Sequence, residues 1–290
     1  MKSWEKLSLT MFSFPVTPFI KKFEEKSPEK ILKRSVDILD DAVALELKSF
    51  IGSSQSSSGG FKDRAGNPDL YYTLFGWFTA DALGMKKECD LVWPYVSTEI
   101  NRKEPQGVYL HCLAILSALS GRTGEFKKLH GARLRMSPGM NEQKLYGAFL
   151  SVLSYWYLRD FRGIFRLRRK MKTLSFNEAL PCPLAAASLV LAGSFREPVD
   201  RHIKQVMAFY DGKGGFRATG STPIPDLLST AVALYALNFC GYDLREIKPD
   251  SLSFIDSLFI DGGFSGHPLD PDPDIEYTFY GLLALGALNS

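Results

Sequence analysis

The chain has 290 residues, of which 45% are hydrophobic and 23% are charged, and its formal net charge is +3. This composition is typical of a globular protein with a large core, and it excludes a chain that is disordered over most of its length. The sequence suggests no RNA-binding fold, so we expect no nucleic-acid partner.

The sequence has no apolar run long enough to cross a membrane, and its first residues lack the pattern of a secretion signal. Its four cysteines, Cys89, Cys112, Cys182 and Cys240, lie far apart and form no CxxC pair, which is typical of free thiols in a reducing compartment. We therefore expect a cytoplasmic protein. We also expect one domain over residues 1–290, in which residues 1–28 are an extension packed on the rest.

Two kinds of helical segment alternate along the chain. The first kind is apolar on all faces and spans 73–84, 108–121, 145–158, 183–195, 230–241 and 278–290. The second kind is amphipathic and charged and spans 29–48, 85–102, 124–135, 161–172, 198–210 and 247–260. Asp37, Asp40 and Asp41 are interpreted as part of the solvated face of the first amphipathic helix.

A helix that is apolar all round must be buried all round, so the first kind predicts inner helices and the second kind outer helices. Two arrays of such hairpins compete, an open superhelix and a closed ring. An open superhelix exposes its concave helices to water, where charged residues are usual. The uncharged inner segments therefore predict an all-α fold, an α/α toroid of six inner and six outer helices.

One short motif occurs three times before an apolar segment. It consists of a Gly-Gly-Phe turn, a Pro-Asp pair and a Thr four residues after the Asp. The three copies are Gly59-Gly60-Phe61 with Asp69 and Thr73, Gly214-Gly215-Phe216 with Asp226 and Thr230, and Gly262-Gly263-Phe264 with Asp274 and Thr278. Glycine provides turn conformations that other residues avoid, and the Asp is suited to cap the helix that follows.

This motif resembles the repeat of the protein prenyltransferase β-subunit and terpenoid cyclase superfamily, whose members are α/α toroids. By that resemblance Asp226 corresponds to the first zinc ligand of the prenyltransferases. However, Leu228 stands at their Cys position and Tyr277 at their His position. Gly220 and Pro223 stand where their diphosphate-binding basic residues would be. We therefore expect no zinc and no zinc-dependent thiol prenylation.

The same resemblance indicates two candidate catalytic acids. Terpenoid cyclases that protonate their substrate carry Asp-x-Asp-Asp before the corresponding Thr, and this chain has Asp274, Glu276 and Tyr277 there. Asp274 and Glu276 are the candidates. The carboxylates of Asp270, Asp272 and Asp274 could also bind Mg²⁺, but a rigid loop whose last Asp caps a helix is the preferred interpretation.

Aromatic residues are frequent in the inner segments, and rings with polar tips suit the wall of a half-wet cavity. The expected ligand-binding residues are Tyr72, Trp77, Asp226, Tyr277 and Tyr280. The leading hypothesis is a toroid that binds an isoprenoid or another elongated apolar molecule in an aromatic central cavity, with its catalytic status left open.

Charge is unevenly distributed along the chain. Residues 122–172 contain 13 Lys and Arg against 3 Asp and Glu, whereas residues 237–290 contain 9 acidic against 2 basic residues. Arg162, Arg166 and Arg169, on a predicted outer helix, are candidate contacts for an acidic protein or an anionic membrane surface. This pattern supports an alternative function as a non-catalytic docking scaffold. A second alternative is a prenyltransferase β-like subunit that requires a partner chain.

Overall fold

The computed structural model describes residues 13–101, 105–136, 142–171 and 180–289, and these residues are mostly helical. The helices in chain order are α1 Ser13–Lys26, α2 Pro28–Val36, α3 Asp41–Ser54, α4 Leu70–Ala82, α5 Lys86–Ile100, α6 Gly107–Leu119, α7 Thr123–Met136, α8 Glu142–Tyr157, α9 Phe161–Met171, α10 Cys182–Phe195, α11 Asp200–Met207, α12 Leu227–Cys240, α13 Lys248–Asp256 and α14 Ile275–Leu288. Two short strands, β1 Phe259–Ile260 and β2 Gly263–Phe264, pair antiparallel before α14.

The apolar helices form a closed ring. Helices α4, α6, α8, α10, α12 and α14 each contact the next, and α14 returns to contact α4. These helices lack a polar stripe, and most of their residues are buried, as the sequence predicts. The expected all-α toroid is therefore confirmed, and an open superhelix is excluded by the contact between α14 and α4.

The amphipathic helices α3, α5, α7, α9, α11 and α13 pack on the inner helices as an outer layer. The interpretation of residues 29–48 as one outer helix is wrong, because this segment is divided into α2 and α3. Asp40 causes α3 to begin anew, since its side chain accepts a hydrogen bond from the backbone N–H of Ala42 at 2.8 Å. Asp40 is thus a helix cap and not part of a continuous solvated helical face.

Helices α1 and α2 cover the end of the ring at which the inner helices finish. Phe23 of α1 is fully buried, and its ring lies 5.5 Å from Trp156 of α8 and 5.2 Å from Phe239 of α12. The Lys26 ammonium donates to the carbonyl oxygen of Asn238 near the end of α12. A cation at this place complements the negative end of the helix dipole. We call the opposite end of the ring, where the inner helices begin, the mouth.

The three copies of the sequence motif have one geometry. In each copy the Thr hydroxyl accepts a hydrogen bond from the backbone N–H of the Phe and donates one to the carbonyl oxygen of the capping Asp. The distance from the backbone nitrogen of the Phe to Oγ1 of the Thr is 2.9 Å for Phe61 and Thr73, 2.9 Å for Phe216 and Thr230, and 3.2 Å for Phe264 and Thr278. The Thr hydroxyls donate to Asp69, Asp226 and Asp274 over 2.5, 2.7 and 2.6 Å. The motif therefore ties each turn to the inner helix that follows it.

Candidate functional site

The mouth is lined by the first residues of the inner helices. Asp69, Asp226 and Asp274 cap α4, α12 and α14 by accepting hydrogen bonds from backbone N–H groups of the first turn. Capping fixes where each helix begins, so the residues directly after each Asp are held at the mouth. The predicted helix starts at these three positions are confirmed.

A cavity of about 590 Å³ lies at the mouth between α4, α6 and α8. Its lining residues are Asp63, Arg64, Ala65, Asp69, Tyr71, Tyr72, Val108, Tyr109 and Tyr146. Four of these residues are tyrosines, and such side chains present an apolar ring together with a polar tip. The volume is in the range of sites for small organic ligands.

Arg64 joins the first and last copies of the motif across the mouth. Its Nε donates to Asp274 at 2.6 Å, and its Nη2 donates to Asp270 at 2.7 Å. Its guanidinium also lies over the ring of Tyr277, 5.4 Å from the ring centre. Arg64 therefore occupies the place between Asp270 and Asp274 that a bound cation would need.

The two candidate acids have different environments. Asp274 uses both oxygens, because one accepts from Arg64 and the other from the backbone N–H of Tyr277 at 2.7 Å. Glu276 is half-buried and accepts a hydrogen bond from the Tyr71 hydroxyl at 2.8 Å. Burial raises the pKa of Glu276 despite the opposing effect of the Tyr71 hydrogen bond, and the nearby charge of Asp274 also raises it. Of the two, Glu276 is better suited to hold and donate a proton.

The tyrosines beside Glu276 remain protonated over a wide pH range. Burial raises the pKa of Tyr146 to about 12, and burial together with the charge of Glu276 raises the pKa of Tyr71 and Tyr280 well above the usual value. The Tyr109 hydroxyl donates to the second oxygen of Asp69 at 2.9 Å, and this hydrogen bond raises the pKa of Tyr109. The phenols at the mouth are therefore neutral hydrogen-bonding groups.

The interior of the ring below the mouth contains packed aromatic rings. Phe75 of α4 lies 4.6 Å from Phe279 and 5.5 Å from Tyr280 of α14, measured between ring centres. Phe78 of α4 lies 5.9 Å from Tyr157 of α8. The open space at the mouth is thus bounded below by aromatic side chains.

The five predicted ligand-binding residues are distributed over three places. Tyr72 lines the mouth cavity, and Tyr280 lies beneath it beside Glu276. Asp226 and Tyr277 lie together on the side of the mouth formed by α12 and α14, where the charge of Asp226 contributes to a raised pKa of Tyr277. Trp77 lies further along α4, and its carbonyl oxygen faces Sγ of Cys89 on α5 at 3.8 Å.

The residues around Asp226 do not fit the zinc site of the prenyltransferases. Leu228 has no lone pair to offer, and Tyr277 remains protonated because burial raises its pKa. In the described part of the chain, no group of three or more His, Cys, Asp or Glu side chains is arranged to hold a metal ion.

A second cavity, of about 620 Å³, lies beside the mouth between α4, α5 and α6. Asp69 and Tyr109 line both cavities, so the hydrogen bond between them lies at the boundary. Leu70, Pro94, Tyr95, Pro105 and Leu113 give the second cavity a largely apolar wall.

The basic outer helix is exposed, as its amphipathic pattern indicates. Arg162, Arg166 and Arg169 of α9 face solvent, and Phe165 between them is 43% exposed. Arg166 lies 3.8 Å from Asp160, which is a loose ion pair. Within the described residues, no helix is both long and apolar enough to pass through a membrane.

Sequence reasoning did not select four residues that line the mouth cavity, namely Arg64, Tyr71, Tyr109 and Tyr146. Arg64 lies in a loop, and nothing in its local sequence indicates that it contacts carboxylates more than 200 residues away. Tyr71 could have been found, because it precedes Phe75 by one helical turn and therefore shares its inward face.

Comparison with known families agrees with this geometry. A model of the prenyltransferase alpha-alpha toroid domain matches residues 29–131, 166–280 and 251–290. No curated protein and no solved structure matches the chain. Because the matched ranges cover most of its length, the chain belongs to the prenyltransferase alpha-alpha toroid domain family.

Proposed function

We propose that this toroid acts in the cytoplasm and binds an elongated apolar molecule of the isoprenoid kind at its mouth. The observation that carries the proposal is the cavity of about 590 Å³ whose wall includes Tyr71, Tyr72, Tyr109 and Tyr146. Such a wall combines apolar contact area with hydroxyl groups that orient a polar end of the ligand. Glu276, which accepts a hydrogen bond from Tyr71 of this wall, has a pKa raised by burial, so proton donation to a bound molecule is the chemistry that we propose for this site.

The charges at the mouth support a ligand without a diphosphate. Arg64 is already paired with Asp270 and Asp274, and Asp63 and Asp69 also line the cavity. A diphosphate would have to compete with these carboxylates for the guanidinium and would be repelled by the remaining ones. A neutral prenyl alcohol or polyene meets no such repulsion.

Binding is tested with purified protein, geranylgeraniol and geranylgeranyl diphosphate, by native mass spectrometry and titration. We expect the alcohol to bind more tightly than the diphosphate. Tyr72→Ala should weaken binding of the alcohol about tenfold, because it removes a large part of the apolar wall.

Tyr242→Ala is the matched control, since Tyr242 is a half-buried tyrosine just after α12, at the opposite end of the ring. It should leave binding unchanged. Failure of prenyl alcohols and linear polyenes to bind the folded protein would overturn the proposal, and tighter binding of the diphosphate would overturn the charge argument.

A second candidate function is a docking scaffold that uses α9. The exposed Arg162, Arg166 and Arg169, with the exposed ring of Phe165 between them, favour a surface that is both anionic and partly apolar. The exposed position of all three arginines supports this candidate, because no burial prevents a flat partner from reaching them.

Docking is tested by sedimentation of the protein with phosphatidylserine-containing and pure phosphatidylcholine vesicles. We expect binding to the anionic vesicles, and we expect Arg162→Glu, Arg166→Glu and Arg169→Glu together to abolish it. The control is Lys86→Glu with Lys87→Glu, on the exposed start of α5. Equal loss in both variants would show a general charge effect and would count against docking through α9.

A further inference from the structure

Among the described residues that line the mouth cavity, Arg64 is the one cationic side chain, and carboxylates outnumber it. Arg64 donates to Asp270 at 2.7 Å and to Asp274 at 2.6 Å, so two carboxylates neutralise one guanidinium. These contacts raise the pKa of Arg64, which keeps it charged and paired. Its charge is therefore already satisfied from within the protein.

Two further carboxylates line the same cavity and receive hydrogen bonds from neutral donors. Asp63 accepts from the backbone N–H groups of Ala65 and Asn67, each at 2.9 Å. Asp69 accepts from the backbone of the first turn of α4 and from the Tyr109 hydroxyl. Hydrogen bonds of this kind stabilise a carboxylate, as does the helix dipole at Asp69, but they leave its formal negative charge in the cavity.

The wall of the cavity is independent evidence about the ligand. Tyr71, Tyr72, Tyr109 and Tyr146 line it, and the pKa of each phenol is raised by burial or by a hydrogen bond to a carboxylate. The phenols therefore stay neutral, and the faces of neutral aromatic rings attract cations. Aromatic side chains form the walls of known sites for ammonium groups.

From the cavity, its four tyrosines and the two carboxylates, Asp63 and Asp69, that form no ion pair among the described residues, we infer that the polar end of the ligand is an amine or a quaternary ammonium group. The inference rests on the proposed function, because it assigns the head group of the same elongated ligand. The apolar remainder would lie along the tyrosine rings of the same cavity, above the packed side chains of Phe75, Phe279 and Tyr280.

The test uses three probes that share one tail and differ in the head group: dodecyltrimethylammonium, 1-dodecanol and dodecyl phosphate. Each is titrated into the full chain below its micelle concentration. We expect dodecyltrimethylammonium to bind at least about tenfold more tightly than 1-dodecanol, and dodecyl phosphate to bind most weakly.

Asp69→Asn tests the role of the charge, because Asn still caps a helix and keeps an oxygen acceptor. Asp69→Asn should weaken binding of the ammonium probe about tenfold and leave the affinity for 1-dodecanol unchanged. Asp40→Asn is the matched control, since Asp40 caps α3 at the end of the ring away from the mouth. It should change neither affinity.

The outcomes separate this inference from the proposed function. If 1-dodecanol binds and the ammonium probe binds no better, the head-group inference is overturned and the apolar site stands. If none of the probes binds, the proposed function is contradicted as well. If Asp40→Asn weakens the ammonium probe as much as Asp69→Asn does, the effect comes from net charge and the inference is overturned.

Discussion

Two carboxyl groups at the mouth, Asp226 and Glu276, lie where burial raises the pKa of each. They differ in their nearest partners. Asp226 accepts a hydrogen bond from the backbone N–H of Ser229 at 2.7 Å, which favours its charged form and serves to cap α12. Glu276 accepts from a phenol, which also favours the charged form, but the nearby charge of Asp274 opposes that effect. At the residue scale, the neighbouring carboxylate distinguishes the candidate acid from the cap.

The raised pKa of Glu276 predicts how stability depends on pH. Protonation of Glu276 stabilises the folded chain, and this contribution is complete below the pKa of the unfolded chain, which is about 4.3 for a glutamic acid. It is lost as the pH rises through the higher pKa of the folded state. An uncharged amide at this position avoids that loss. Glu276→Gln should therefore increase the free energy of unfolding at neutral pH relative to the wild type.

Urea unfolding of both proteins at acidic and neutral pH checks this prediction. The difference in unfolding free energy should grow with pH, while Tyr71 can still donate to the amide oxygen. Glu24→Gln, at an exposed position on α1, is a control that should show no such trend. A difference that is independent of pH would contradict the raised pKa of Glu276.

The ligand-binding residues expected from the sequence remain predictions, and the structure gives only their positions. Tyr72, directly before the inner segment 73–84, lines the mouth cavity, whereas Trp77 within that segment lies away from it. Aromatic residues on a helix buried all round point in every direction, so composition alone does not select those that line a cavity. Arg64 could not be predicted, because its partners are distant in sequence.

At the scale of the element, the repeated motif is explained by packing. Gly59 has a φ of +94°, and a methyl group on it would overlap the carbonyl oxygen of Leu91 in α5. Gly214 has a φ of +108° and meets Asp250 of α13 in the same way. The first glycine of each pair therefore allows the turn to lie directly on an outer helix. The motif identifies the fold, and it is not by itself a catalytic signature.

Gly59→Ala should destabilise the protein more than Gly66→Ala, which serves as its control. Gly66 also has a positive φ, at +83°, but a methyl group there would meet nothing within 4 Å. Gly66→Ala should cost about 1 kcal/mol from the left-handed backbone alone. Gly59→Ala adds a steric overlap with the backbone of α5, for a total of about 3 kcal/mol. Thermal and urea unfolding measure both, and equal losses would contradict the close approach to α5.

The elements themselves were predicted well because inner and outer helices bury different faces. The expected inner segment 183–195 corresponds to α10 Cys182–Phe195, and 230–241 corresponds to α12 Leu227–Cys240. The division of residues 29–48 into α2 and α3 was missed. Its signal was Asp40, a residue type that prefers the cap position, but an apolar stripe that continues on both sides conceals a change of helix direction.

At the scale of the whole molecule, the ring must be closed between elements that are distant along the chain. Helices α4 and α14 meet there, and Arg64 joins the loops that precede them. Closing a long loop costs conformational entropy, so contacts at the seam are needed in addition to the apolar contacts between the two helices. On the opposite end, α1 and α2 cover the ring and bury Phe23 against α8 and α12.

Arg64→Ala tests the seam directly. Asp274 is only 7% exposed, so loss of the guanidinium leaves a buried carboxylate without its cation, and we expect a loss of about 1 to 2 kcal/mol in unfolding free energy. Arg245→Ala is the control, because Arg245 and Asp243 form a solvent-exposed pair within one loop and their loss should have no measurable effect. The Arg64 guanidinium lowers the pKa of Asp270, so lowering the pH until Asp270 is protonated should reduce the difference between Arg64→Ala and the wild type. Equal stability of Arg64→Ala and the wild type at neutral pH would mean that the helix contacts between α4 and α14 close the ring alone.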